Sequence, residues 1–299
     1  MGSVELSNAE DLSLEIAPYF EDLLQRLAVG DPLASVAFGR HVHWGYWPDP
    51  VCAIGSPEDY AAAAELLCRR MCDVAGIADG MRVLDVGCGI GGTLASLNER
   101  FEAVELVGLN LDNRQLERAA ATIHPRQGNR IQWVQGDACQ MEFGSVPFDV
   151  VLAVECIFHF RSREAFFQRA AAALKPGGRL TLSDFVPRPL SPDELRQFEI
   201  LSRAAAQHTF GRVGLDFPVA RYRELAQQHR LALRTIDNIT RQTMPTYPFL
   251  RADVRARRDV VGARHHLKAI SRLESACQRG LLEYAILSFS SAADDRNRL

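Results

Sequence analysis

The sequence predicts an α/β fold, a parallel sheet covered by helices on both faces. Three observations predict it. From Arg82 onward, short apolar runs and amphipathic helical stretches alternate strictly, a pattern that a parallel sheet with helical crossovers buries. A glycine-rich turn, Gly87-Cys88-Gly89-Ile90-Gly91-Gly92, sits between the first run and the helix that follows it. The chain has 299 residues, 47% hydrophobic and 24% charged. That composition excludes disorder, collagen-like repeats and a small disulfide scaffold.

The elements follow in order. From about Glu10 to Leu27, the residues Leu12, Ile16, Phe20, Leu23 and Leu24 share one helical face, and the other face is acidic. This is a surface helix, and Pro18 inside it is expected to kink or divide it. After Gly30-Asp31-Pro32 comes the aromatic segment His43-Trp44-Gly45-Tyr46-Trp47-Pro48. Ser56-Pro57-Glu58-Asp59 starts a helix to about Val74, with Ser as N-cap, Pro at the first position and acids in the first turn. Strands are expected at Val83 to Val86, Val104 to Leu109, Ile131 to Val134, Phe148 to Val154 and Arg179 to Asp184. Helices are expected at Thr93 to Phe101, Asn113 to Ile123 and Arg163 to Leu174, the last stopped by Lys175-Pro176-Gly177-Gly178. The right-handed crossover rule leaves few ways to wind them. The stretch 187–218 interrupts the order and is a candidate lid over the sheet's carboxyl edge. A helix from Val219 to His229, a strand from Leu231 to Thr240, an Arg-rich helical region from Phe249 to Gln278 and the apolar run Leu281 to Phe289 complete the chain. Residues 1–78 are thus expected to form an N-terminal helical cover, and 79–299 an α/β domain carrying the lid.

Charge and targeting signals narrow the partners. A net charge of -3 offers no electrostatic case for nucleic acid or an anionic membrane. No apolar stretch reaches the roughly 18 residues of a spanning helix. The first residues lack a signal peptide's basic and apolar regions, and Leu at position 6 breaks a myristoylation motif. Seven cysteines, with no C-x-x-C formed by Cys68 and Cys72, suit reduced thiols in a cytoplasmic protein. No metal is expected. The oligomeric state is open, a homodimer included.

Gly87, Gly89 and Gly92 satisfy the G-x-G-x-x-G dinucleotide pattern, so a nicotinamide dehydrogenase is the first alternative. Asp85, two residues before the first glycine, counts against it by repelling a pyrophosphate. Asn110 ends the second strand where a dinucleotide site has an acid, although Asp112 lies two residues on. A cationic ligand reverses the electrostatics: a carboxylate beside an open glycine loop suits an amino acid bearing a sulfonium.

The segment Val83-Leu84-Asp85-Val86-Gly87-Cys88-Gly89 resembles motif I of class I S-adenosylmethionine-dependent methyltransferases. Gln135-Gly136-Asp137-Ala138 and Leu174-Lys175-Pro176-Gly177-Gly178-Arg179-Leu180 extend the resemblance over roughly residues 80–186. It implies a Rossmann-like, seven-stranded, mostly parallel sheet whose last strand inserts antiparallel, with S-adenosylmethionine as cofactor. The cofactor set it implies is Asp85, Gly87, Cys88, Gly89, Asn110, Leu111, Gln115, Asp137, Ala138 and Glu155. Asn110 stands where the family usually has an acid on the ribose, and Asp137 would accept from the adenine amine. Asp137 also reads as a loop or capping residue, and Asn110 as a structural one.

Methyl transfer needs an in-line nucleophile, exclusion of water and, for a hydroxyl, removal of a proton. The fourth strand runs out through Glu155-Cys156-Ile157-Phe158-His159, the region that lines the donor and acceptor sites in similar small-molecule enzymes. His159 is the expected general base; packing is its alternative. Glu155 would take a proton if carbon is methylated, and otherwise brace the loop. Asp184 is expected as a catalytic or histidine-orienting acid, or as a cap. His43, Trp44, Tyr46 and Trp47 resemble a segment that covers the cofactor in tocopherol-like and natural-product methyltransferases, though packing explains the aromatics too. Arg251, Arg255, Arg257, Arg258, Arg264, His265, His266 and Arg272 spread around their helix, which reads as a solvated face more than as a grip for an anionic acceptor. The resemblance implies methylation of a small molecule, a specialised metabolite, with oxygen favoured. Carbon or nitrogen methylation, and a cyclase that keeps the cofactor, are the alternatives. A nucleic-acid methyltransferase is disfavoured, because Glu155 to His159 replaces the Asn-Pro-Pro-Tyr type motif of base-amino methylation.

Overall fold

A computed structural model of the chain describes residues 18–189, 191, 194, 213–257 and 262–292. The helices are α1 (Pro18–Ala28), α2 (Pro32–Ala37), α3 (Pro57–Ala75), α4 (Gly92–Arg100), α5 (Asn113–Thr122), α6 (Arg163–Ala173), α7 (Val219–Gln228), α8 (Thr240–Thr243), α9 (Thr246–Ala256) and α10 (Ala263–Gln278). The strands are β1 (Arg82–Val86), β2 (Glu105–Asn110), β3 (Arg130–Gln135), β4 (Phe148–Ala153), β5 (Leu174–Pro187), β6 (Leu231–Asn238) and β7 (Leu282–Ser291). They form one seven-stranded sheet in the order β3-β2-β1-β4-β5-β7-β6. β7 is antiparallel to both neighbours and the other pairs are parallel.

Alternation along each strand feeds two cores. Val150 and Leu152 of β4 join one cluster with Leu67, Met71 and Val83, while Val151 and Ala153 join the other with Leu84, Phe166 and Tyr222. That division follows from the two-residue period of a strand. Helix α3 therefore covers the sheet itself, so the N-terminal cover proposed for residues 1–78 shares a core with the α/β domain. A third cluster joins α1, α2 and α3 to Phe249 of α9 through Leu23, Leu27, Phe38 and Tyr60.

Local chemistry sets the boundaries. The Ser56 side chain caps α3 by accepting from the Asp59 N–H, and Gly76 ends that helix at φ 65° in the left-handed region. Helix α1 is described from Pro18 onward, and the residues on which the kink expected at Pro18 depends lie outside those described. The fifth strand starts earlier than its sequence suggests. Phe148 pairs with Leu174 and Val150 with Arg179, so Lys175 to Gly178 forms a bulge within β5, with Gly177 at φ 76°. The lid over 187–218 lies largely outside the described residues. Within it, Ser191 and Glu194 exchange capping-box bonds, the Ser191 N–H donating to Glu194 Oε2 at 2.9 Å and the Glu194 N–H to Ser191 Oγ at 3.3 Å. All seven cysteines are free thiols. Among the described residues no helix is long and apolar enough to cross a membrane.

Candidate functional site

The carboxyl ends of β1, β2 and β4 meet at a cleft, as the reversal of strand order beside β1 dictates. Its floor is the turn after β1. Gly87, Gly89 and Gly91 hold φ values of 66°, 55° and 84°, which side chains bearing a Cβ rarely adopt. The Gly87 and Cys88 N–H groups both donate to the Leu109 carbonyl, at 2.7 and 3.1 Å, tying the turn to the end of β2. Gly92 is required for a different reason. A Cβ there would lie 2.1 Å from the Arg40 carbonyl oxygen, because the strap between α2 and α3 crosses the start of α4.

The cleft encloses about 1160 Å³ of atom-free space, part of it open to solvent. All ten residues expected at the cofactor border it: Asp85, Gly87, Cys88, Gly89, Asn110, Leu111, Gln115, Asp137, Ala138 and Glu155. Asp85 is 2% exposed, and its Oδ2 is buried with no hydrogen-bond partner among the described residues. Burial pushes this carboxyl up to about 8, against a hydrogen bond from Thr93. An orphaned carboxylate oxygen beside glycines in left-handed conformations fits a ligand bringing an ammonium group, and a diphosphate would be repelled there. Asn110 accepts from the Gly89 N–H at 3.4 Å and donates to the Asp112 carbonyl at 3.2 Å and to Gln115 Oε1 at 3.4 Å. Asp137 accepts from the Cys139 N–H at 2.8 Å and from Gln140 Nε2 at 3.1 Å, and a carboxylate keeps further lone pairs beyond these.

A second cavity, with about 1090 Å³ of atom-free space, adjoins the first. Its lining is mostly apolar, with Phe38, Trp44, Phe158, Phe185, Leu250 and Ile270 among the larger side chains. Tyr19, Val42, Glu155 and His159 border both cavities. Glu155 has φ 51°, a strained backbone for a residue with a Cβ. Its N–H donates to Ser183 Oγ at 3.0 Å, and its Oε2 accepts from the Trp44 N–H at 2.8 Å. Oε1 is buried without a partner among the described residues. Burial raises the Glu155 carboxyl to about 8, with Tyr284 and the Trp44 amide opposing. His159 ends a 3₁₀ turn over Ile157–His159, its ring centroid 4.6 Å from that of Phe158.

Asp184 requires a correction, because it borders neither cavity. It is fully buried on the opposite face of the sheet. There it accepts from Arg163 Nη2 at 3.0 Å and from the Tyr222 hydroxyl at 2.5 Å. The alternation along β5 explains the difference: Ser183 turns toward Glu155, so Asp184 must turn away. Its role here is to anchor α6 and α7 to β5. Asp184→Ala is expected to cost about 3–5 kcal/mol of stability in a denaturant titration, with cofactor affinity unchanged, because Arg163 is left buried and unmatched.

The aromatic segment divides. His43 borders the cleft and Trp44 the second cavity, where its ring packs on Phe185, Tyr247 and Tyr284. Trp47 instead enters the N-terminal core beside Tyr60, and Tyr46 packs on the main core. Two arginines of the Arg-rich region also depart from a solvated face. Arg251 pairs with Glu274, and Arg257 reaches Asp22 at 2.5 Å and Asp253 at 3.3 Å, each arginine about one-fifth exposed. Arg258 lies outside the described residues. Sequence reasoning missed Tyr19, His41 and Thr93 at the cleft. Only His41 had a signal, standing two residues before His43 and thus on the same side of an extended strap.

Residues 83–178 match the family described as "Methyltransferase domain". Methyltransferase GfsG of Streptomyces halstedii is 28% identical over 242 residues, 79% of each chain. The 27-O-demethylrifamycin SV methyltransferase of Amycolatopsis mediterranei is 28% identical over 232 residues, 76% of each chain. Among solved structures, the [4+2]-cyclase SpnF superposes with a TM-score of 0.71 at 18% identity, covering 93% of this chain and 99% of its own, a likeness of fold.

Proposed function

The chain is a class I S-adenosylmethionine-dependent methyltransferase, and on that premise we propose that it methylates an oxygen of an uncharged, largely apolar small molecule, a specialised metabolite. The observation that carries this reading is the junction of the two cavities at Glu155 and His159. One cavity has the donors and acceptors for the cofactor, and the other has an apolar wall for its acceptor.

When bound, S-adenosylmethionine supplies a methyl group already activated for displacement. Asp85 would hold the ammonium group, Asn110 the ribose hydroxyls and Asp137 the adenine amine. The glycine turn would let the ligand approach the backbone closely. His159 would take the proton from the acceptor hydroxyl, and the aromatic wall formed by Trp44, Phe158 and Phe185 would keep water out. The second cavity is also lined by Arg26 and Arg257, which pair with Asp253 and Asp22, although the Nε of each is buried without a partner among the described residues. An anionic acceptor would have to compete with those aspartates, which favours an uncharged one. The O-methylation named for the rifamycin relative supports oxygen by likeness.

A second reading, transfer to carbon, is favoured by the unmatched Oε1 of Glu155, which would then accept the proton. Incubation with methyl-labelled S-adenosylmethionine and a set of hydroxylated apolar acceptors tests both. The expected result is S-adenosylhomocysteine in step with a labelled methyl ether. Label on carbon transfers the assignment to Glu155, and turnover of an acceptor without S-adenosylhomocysteine indicates a cyclase.

A further inference from the structure

His41 and His43 stand side by side on the strap between α2 and α3, their ring centroids 4.7 Å apart. His41 Nε2 lies 2.8 Å from Glu65 Oε2, and His41 Nδ1 lies 3.1 Å from His43 Nε2. His43 Nδ1 lies 3.0 Å from the Trp44 carbonyl oxygen. Both ends of this chain, a carboxylate and a carbonyl, only accept. Three contacts between ring nitrogens and their partners therefore need three protons, and two neutral imidazoles carry two. Either one contact faces lone pair to lone pair, or one ring is an imidazolium.

The surroundings decide which ring. Burial lowers the pKa of both rings, that of His43 to about 3. Only His41 touches a carboxylate. Against its own burial, hydrogen bonds from His41, Arg69 and Ser96 hold the Glu65 carboxyl below the usual range, so it stays charged. The other charges facing the pair are Arg40 on the strap, which pairs with Glu65 and with Glu99 of α4, and Arg69 on α3. The chain continues past His43 through one residue: Trp44, whose carbonyl accepts from His43, donates its N–H to Glu155 Oε2 at 2.8 Å.

We infer that His41 carries the third proton as an imidazolium, and that Glu65, His41 and His43 are positioning residues that hold Trp44, and through it Glu155, at the junction of the two cavities. The contribution to methyl transfer rests on the reading of that junction given above. The proton itself does not, and it is measured without acceptor or cofactor.

Long-range ¹H–¹⁵N NMR of the imidazoles in the full-length protein reads the number of ring N–H groups directly. His41, whose burial holds it below the ordinary imidazole value, is expected to show two at the acidic end of the range from pH 5 to about 8, and His43 one. Glu65→Gln removes the counter-charge and is expected to lower by at least about one pH unit the midpoint at which His41 loses its second proton. The Trp44 amide, assigned by Trp44→Phe in ¹⁵N-tryptophan protein, is expected to shift as His41 is titrated and to lose that step in His43→Ala. A His41 ring with a single N–H throughout pH 5 to about 8 overturns the imidazolium, and this wild-type measurement decides even where a variant does not fold. A Trp44 step that persists in His43→Ala reports Glu155 alone and overturns the positioning role.

Discussion

Asp85→Asn is expected to weaken binding of S-adenosylmethionine by about 100-fold or more while stabilising the ligand-free protein at alkaline pH. Both effects come from one buried oxygen. Oδ2 of Asp85 has no partner among the described residues, so in the empty cleft the charged form is desolvated without compensation. Removing one partner of a buried ion pair costs about 3–5 kcal/mol, and each 1.4 kcal/mol is tenfold in affinity. An asparagine of the same shape cannot supply the charge that an ammonium group would meet.

The sign of the pH effect follows from the direction of the shift. The carboxyl is raised from an ordinary value of 3.8 to about 8. A group whose folded pKa is raised favours the folded state below its unfolded pKa, and that contribution is lost as pH rises toward about 8. The stability difference between wild type and Asp85→Asn is therefore absent below about pH 4 and grows to its full size near pH 8, in favour of the variant. Cofactor binding runs the other way, because a protonated Asp85 must lose its proton to meet a cation. Wild-type affinity should rise with pH up to about 8, and the asparagine variant should lose the part of that rise belonging to Asp85. Calorimetric titration across that range, with thermal unfolding of the ligand-free proteins, measures both. Equal affinity in the two proteins would remove Asp85 from the cofactor site.

His159→Ala is expected to lower turnover by about 10²–10⁴, the usual contribution of a positioned general base, and to leave the dissociation constant for the cofactor little changed. Its position at the junction is the reason: it lines the second cavity as well as the cleft. The comparison with Glu155→Gln is what discriminates. Under oxygen methylation the histidine variant loses more turnover, and under carbon methylation the glutamate variant does. A sharp rise in the cofactor dissociation constant in His159→Ala, with turnover per bound enzyme intact, would refute the base assignment.

The alternation of strands and helices, the glycine turn with Asp85 before it and the antiparallel last strand were all legible in the sequence. The first two rest on short-range rules, namely the period of a buried strand, the left-handed conformations that glycine permits and the electrostatics of a carboxylate two residues from the loop. The last was implied by the family resemblance. That the ten residues expected at the cofactor border one cleft was legible for the same reason, since all but Gln115, in the first turn of α5, stand at a strand end or in the loop that follows it. Asp184 was not, because a strand's residues point alternately to opposite faces, and whether Ser183 or Asp184 faced the cleft depended on register with β4 and β7. Nor was the Glu65, His41 and His43 chain, whose carboxylate lies on a helix 24 residues from the ring it touches, His41. The pairing of Arg26 and Arg257 with Asp253 and Asp22 likewise joins α1 to α9 across most of the chain. What local pattern determined was which elements form and where a cofactor could be cradled. What only tertiary packing decided was which side chains reach the second cavity, because their proximity comes from long-range burial that no neighbouring residue encodes.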